Sequence, residues 1–137
     1  MRFISNLNRF GDAGRLVLRL AIGIIFLVHG TMKWSMWNME PSEQLSASML
    51  TIIKILSIAE PLGGVAIILG LLTPYAAIGL SIIMIGAINA KINLMNIGFA
   101  AQQTTGWEFD FLILSGLVCI LFIGAGKFSV DGRLSKE

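Results

Sequence analysis

The stretch IAEPLGGVAIILGLL (58–72) is apolar except for one carboxylate, which stands before a proline and two glycines. Two readings of it give different architectures. A helix that starts at Pro61 has only about twelve residues, too few for a hydrocarbon core that needs about 20. Extended back to Leu45, it becomes a helix of membrane length with Pro61 inside. Proline has no amide proton, and its ring presses on the carbonyl four residues back, here Ser57, so the long helix is expected to bend. Glu60 then lies deep in a span, where an ionisable group costs about 2.5–3.5 kcal/mol and usually faces a bundle interior or a wet cavity. The other reading is a short interfacial helix followed by a short span.

The rest of the chain favours the membrane. Hydrophobic residues make up 55% of the 137 and charged residues 13%, about half the charged share of a soluble domain. Mean hydropathy is +0.82. A chain this short cannot hide so much apolar surface inside a water-soluble globule. The expected architecture is therefore an all-α integral membrane four-helix bundle, a single domain over 1–137. No room remains for a soluble catalytic domain. Four runs are long enough to span: 16–34, 45–72, 75–95 and 107–126. They are continuous rather than alternating, which favours helices over strands in lipid.

Several functions are excluded early. A net charge of +2 gives no footprint for nucleic acid. Cys119 is the only cysteine and His29 the only histidine, so no internal disulfide, C-x-x-C pair or one-chain zinc site is expected. The glycines of 58–72 are not a phosphate loop, since no Lys-Ser/Thr follows. Gly63, Gly64 and Gly70 read instead as helix-contact positions. The basic N-terminus precedes an apolar run without a small-residue cleavage site, and Arg19 interrupts that run. It reads as a retained first span.

Basic residues set the expected orientation. Arg2, Arg9 and Arg15 lie in the N-terminal arm; Lys127, Arg133 and Lys136 lie in the tail. Both termini are therefore expected to be cytoplasmic. Trp34, Trp37 and Trp107 then fall at the outer interface and Tyr75 at the inner one. The arm itself places Phe3, Ile4, Leu7 and Phe10 on one face, as a short helix lying on the inner surface would. An unstructured arm fits the residues nearly as well.

In this topology the polar residues of the spans collect in the outer half. His29, Lys33, Lys54, Lys91, Asn93 and Glu108 fall there, Glu60 lies near the middle, and Arg19 is alone toward the inner end. At about 100° per residue, Arg19, His29 and Lys33 share one face of the first helix within about 80°. Arg19 is expected to snorkel to the inner surface or to pair with Glu60. Arg19, His29 or Lys33 can each compensate Glu60, and depth favours His29. On the fourth helix Glu108, Ser115, Cys119 and Phe122 share a face, while Asp110 points elsewhere and is expected to be solvated. Gly79, Gly86 and Asn93 repeat every seven residues, a candidate packing seam. Lys91 lies on a different face from Asn93.

Three stretches together resemble the DoxX family of small four-helix membrane proteins. They are RLAIGIIFLVHGTMK (19–33), EPLGGVAIILGLLTPYAA (60–77), and GWEFD (106–110) followed by GAGKFSVD (124–131). The resemblance implies a multi-pass protein of a bacterial or archaeal cytoplasmic membrane. Some members of the family are linked to thiosulfate oxidation with a quinone as acceptor; others look like membrane partners in thiol-stress or redox complexes. Arg19, His29, Lys33, Glu60 and Glu108 match recurring polar positions of the family. Ala125 stands where proline is common, Trp107 where tyrosine is common, and Lys91 where histidine often occurs. Lysine titrates far from neutral unless desolvated, which argues against a proton relay at that position.

Three functional expectations follow. In the first, a redox-associated protein binds a small ligand in a polar pocket of the outer half, with a quinone as the candidate and no intrinsic cofactor or metal. His29 and Glu60 are the catalytic candidates and exchange protons. Arg19, Lys33, Lys91 and Glu108 complete the ligand-binding candidates. Any redox-active thiols come from a partner or substrate. In the second, the chain is a non-catalytic subunit or assembly factor, docked on a redox-enzyme partner or on a second copy through its glycine seams. The third, a small transporter, needs a continuous polar path, and the inner half offers only Arg19.

Overall fold

The computed structural model describes residues 10–43 and 45–135. Five α-helices follow in order: α1 Gly11–Met32, α2 Ala47–Leu69, α3 Thr73–Asn93, α4 Trp107–Ile123 and a short α5 Val130–Leu134. A 3-10 turn, Lys33–Met36, continues α1. No strand occurs among the described residues. The arm over 1–9 lies outside them, and with it the expected surface helix, apart from an exposed Phe10.

Three helical stretches, Gly11–Met36, Ala47–Leu69 and Thr73–Asn93, are long and apolar enough to cross a membrane. α4 is equally apolar but has 17 residues, the short end of the spanning range of about 17–25. The 58–72 stretch belongs to one long helix, with Pro61 inside α2, so the split reading does not hold. Each helix begins or ends a few residues from its expected bounds, where local capping decides. Ser46 starts α2 by accepting from the Met49 amide at 3.3 Å. Gly70, at φ +64°, ends it: the Leu71 amide returns to the Ala66 carbonyl at 3.0 Å, a Schellman closure that needs the left-handed conformation glycine adopts freely. Pro74 then stands in the first turn of α3, where its missing amide loses nothing.

α1 packs mainly on α2, and α3 on α4. The two pairs meet in a core to which all four helices contribute, among others through Phe26, Ile67, Leu80 and Leu117. Large apolar side chains cover the outside, including Leu62, Ile82, Leu112 and Phe122, each more than 60% exposed. Such a belt is unfavourable in water and natural in lipid.

Glycines set how near α1 and α2 approach. A Cβ on Gly64 would lie 2.7 Å from the Gly23 carbonyl, and one on Gly30 would overlap the Pro61 ring. Gly63 faces α3 instead, where a Cβ would meet Leu80 at 2.7 Å. The Gly79–Gly86–Asn93 repeat is not a seam inside this fold. A Cβ on Gly79 or Gly86 would have nothing within 4 Å, and both face outward. α3 turns its larger residues, Leu80 and Met84, to the core, because they bury more apolar area than a glycine face can.

Candidate functional site: two ion pairs at one end and an arginine knot at the other

Call the end where α1 and α3 begin the proximal end, and the other the distal end. The sequence collects polar residues at the distal end, and the structure joins most of them in pairs.

Glu60 is 4% exposed. Its carboxylate accepts from Lys33 Nζ at 2.5 Å. Lys33 Nζ also reaches the His29 carbonyl at 3.2 Å. Glu60 is thus compensated by Lys33, not by the His29 favoured on depth. The 3-10 turn follows Met32 directly, and the lysine at its start reaches the turn of α2 that holds Pro61. His29 is exposed and turns to α4, with its ring centroid 6.2 Å from that of Phe109.

The same segment completes the hydrogen bonding around Pro61. Pro61 leaves the Ser57 carbonyl without its helical amide. The Trp34 indole donates to that carbonyl at 2.8 Å, and the Trp37 indole donates to the Ser57 hydroxyl at 2.8 Å. Ser57 is fully buried, so each of these polar atoms needs a protein partner. The sequence shows the orphaned carbonyl but not its donors. A signal is present: two tryptophans three apart just past α1, each with one N–H to place.

The second pair bridges α3 and α4. Lys91 Nζ lies 2.6 Å from an Asp110 carboxylate oxygen and donates to the Gly106 carbonyl at 3.2 Å. Asp110 is 7% exposed, which corrects the expectation that it is solvated. It does point away from Ser115, Cys119 and Phe122, which face outward, and that inward face is where Lys91 meets it. Glu108 is partly buried, with one carboxylate oxygen enclosed and unpartnered among the described residues. Lys54 is partly buried on α2. Asn93 is exposed and donates to Asn89 at 2.7 Å, on a different face from Lys91.

Arg19 is at the proximal end and belongs to neither pair. It neither snorkels nor meets Glu60. At 1% exposed, its guanidinium donates to four carbonyls: Ile67 at 2.8 Å, Ile68 at 2.6 Å, Ala125 at 2.7 Å and Phe128 at 2.9 Å. The first two lie in the last turn of α2, the negative end of its dipole. The others belong to the segment after α4. Asp131 completes the knot by accepting from the Leu72 and Thr73 amides at 2.9 and 2.8 Å, the positive end of α3. Partial burial raises the Asp131 pKa, but the Thr73 side chain and amide, the Leu72 amide and the Arg19 charge outweigh it, and the net shift is downward. Leu72 holds φ +49°, a strained value for a side chain of this kind, over the carboxylate that accepts its amide.

Two open clefts, of about 330 and 460 Å³, also lie at the proximal end and share Asp131 and Ala125 in their walls. Cys119 is exposed on α4 as a free thiol.

Comparison with known proteins identifies the family of the chain. The sequence model of the DoxX family matches residues 14–93, which hold Arg19, His29, Lys33, Glu60 and Lys91. An uncharacterized membrane protein of Mycobacterium tuberculosis is 31% identical over 142 residues, covering 96% of this chain and 87% of that protein. A Bacillus subtilis protein named "Putative oxidoreductase CatD" is 30% identical over 129 residues, covering 91% of this chain and 90% of that protein. No solved structure matches the chain significantly.

Proposed function

The chain belongs to the DoxX family and is a multi-pass membrane protein, and we propose that it is a redox-associated one whose distal polar cluster receives the headgroup of a quinone. In this reading α4 is a fourth span and both termini are cytoplasmic, so the distal end faces outward. Arg15 and Lys127 support the orientation: both lie at the proximal end, where Asp12 pairs with each, at 2.9 and 3.7 Å.

The observation that carries the reading is the place of His29. It is exposed on α1 beside Phe109 of α4, at the junction of the two helix pairs, with the Lys33–Glu60 pair on one helix pair and the Lys91–Asp110 pair on the other. A quinone takes up two electrons and two protons on reduction to the quinol. His29 can donate or accept a proton there through its ring nitrogens. Glu60 and Lys33 keep a fixed, neutral-sum charge pair beside it. The two electrons and two protons come from a donor outside the chain, such as a pair of substrate or partner thiols oxidised to a disulfide, with His29 passing protons on; Cys119 has no second cysteine in the chain to pair with. The name of the Bacillus relative supports redox chemistry of some kind. The test is quinone binding by the purified protein, with the redox phenotype of cells carrying His29→Ala or Glu60→Gln. No binding and an unchanged phenotype contradict the reading.

One observation favours a second reading, a non-catalytic subunit of a thiol-stress or redox complex. Lys33, Glu60, Lys91 and Asp110 are satisfied by one another, as packing residues would be, and Gly79 and Gly86 leave a smooth face on α3 open. Co-purification of a stable partner from the membrane supports it; a monodisperse protein active alone excludes it.

A further inference from the structure

We infer that Trp34 is a positioning residue for the Glu60 site: its indole N–H stands in for the amide that Pro61 lacks, and so fixes the turn of α2 that holds Glu60 beside Lys33. The inference deepens the reading of the distal cluster and rests on it for the purpose of the site.

Three side chains of one short segment act within one turn of α2. Lys33 meets Glu60, Trp34 meets the Ser57 carbonyl, and Trp37 meets the Ser57 hydroxyl. The tryptophans are not there chiefly to bury area, for Trp34 is 57% and Trp37 45% exposed. What is directed inward is the N–H. The Ser57 carbonyl it meets belongs to a fully buried residue, out of reach of water, so an absent donor leaves it unpaired. A helix with an amide at position 61 fills this carbonyl itself and leaves the indole donor redundant. Proline at 61 and tryptophan at 34 therefore function as a unit. Gly30 gives room to the Pro61 ring, which lets α1 approach this turn of α2. Lys33 precedes Trp34 directly, so the indole contact also fixes the base of the lysine stem that holds Glu60.

A double-mutant cycle tests this. Trp34→Phe keeps an aromatic ring and deletes the N–H. Pro61→Ala restores an amide for Ser57. In the protein that keeps Pro61, Trp34→Phe lowers the unfolding midpoint in detergent by about 4 °C. In the Pro61→Ala background it lowers it by less than about 1 °C. Amine acylation of Lys33, read by mass spectrometry, follows the same pattern: Trp34→Phe speeds it by about fivefold or more with Pro61 present and adds nothing in the Pro61→Ala background. Pro61→Ser supplies the same amide if the alanine variant does not fold. A Trp34 that only packs costs the same in both backgrounds, and that additivity overturns the proposal, as does a Trp34→Phe variant with no effect. Neither readout uses a quinone. A failed cycle therefore removes the positioning role alone, and failed quinone binding leaves the cycle standing.

Discussion

The Trp34 indole and the Ser57 carbonyl are joined by a hydrogen bond of 2.8 Å, across the one position of α2 where Pro61 removes the helix's own donor. A proline in a span frees a carbonyl that lipid cannot satisfy. Here the segment just past α1 satisfies it, and the same segment delivers Lys33 to Glu60. The Pro61 turn of α2, the carboxylate and its cation form one structural unit.

That unit predicts coupling between its charges. Glu60→Gln leaves Lys33 without its anion and destabilises the fold by about 1–3 kcal/mol. The loss is below the 3–5 kcal/mol of a fully enclosed pair, because the Lys33 side chain is 24% exposed. Lys33→Met combined with Glu60→Gln costs about 1 kcal/mol less than the sum of the two. Unfolding of the four proteins in one detergent measures this.

Arg19 predicts a different loss. Arg19→Lys keeps the charge but cannot reach four carbonyls in three directions. It is expected to cost about 3 kcal/mol or more, since hydrogen bonds to a charged group contribute about 1.5–3 kcal/mol each. Proteolysis should then cut the segment 124–135 first, because Arg19 ties it to α2. Intact resistance there refutes the knot.

Asp131 predicts a pH dependence. Its folded pKa lies below the ordinary 3.8, so the stability it lends is complete above that value. It is lost as pH falls through the lower folded-state value. Asp131→Asn should therefore lower stability at neutral pH and converge with wild type in strong acid. Unfolding midpoints at several pH values show whether the gap closes.

The glycines predict opposite signs. Gly30→Ala forces a carbon into the Pro61 ring and is expected to cost about 1–3 kcal/mol. Gly79→Ala and Gly86→Ala meet open space and are expected to be neutral or to stabilise by up to about 1 kcal/mol. A large loss at Gly79 only in native membranes points to a partner on that face.

Much of this fold is visible in the sequence because hydrophobic run length and proline chemistry are local. Three candidate spans, the long α2 and the orphaned Ser57 carbonyl follow from them. Pairing is not local. Depth along a helix puts His29 beside Glu60, but the 3-10 turn after Met32 lets Lys33 reach back, and turn geometry is not written in periodicity. Asp110 looks solvated in the sequence because it stands at a helix start; its partner lies 19 positions earlier on another helix. Arg19 reads as an ion-pair or snorkelling residue, whereas backbone carbonyls of the α2 end and of the segment after α4 satisfy it, and those carry no sequence signature.

The most direct test of the redox reading is the thermal stability of purified protein with and without a short-chain quinone, on wild type, His29→Ala and Glu60→Gln. At about 100 times its dissociation constant, a bound quinone adds about 2.7 kcal/mol of stability. The account predicts that gain in wild type and its reduction in both variants. No gain in wild type, or an equal gain in all three, contradicts it.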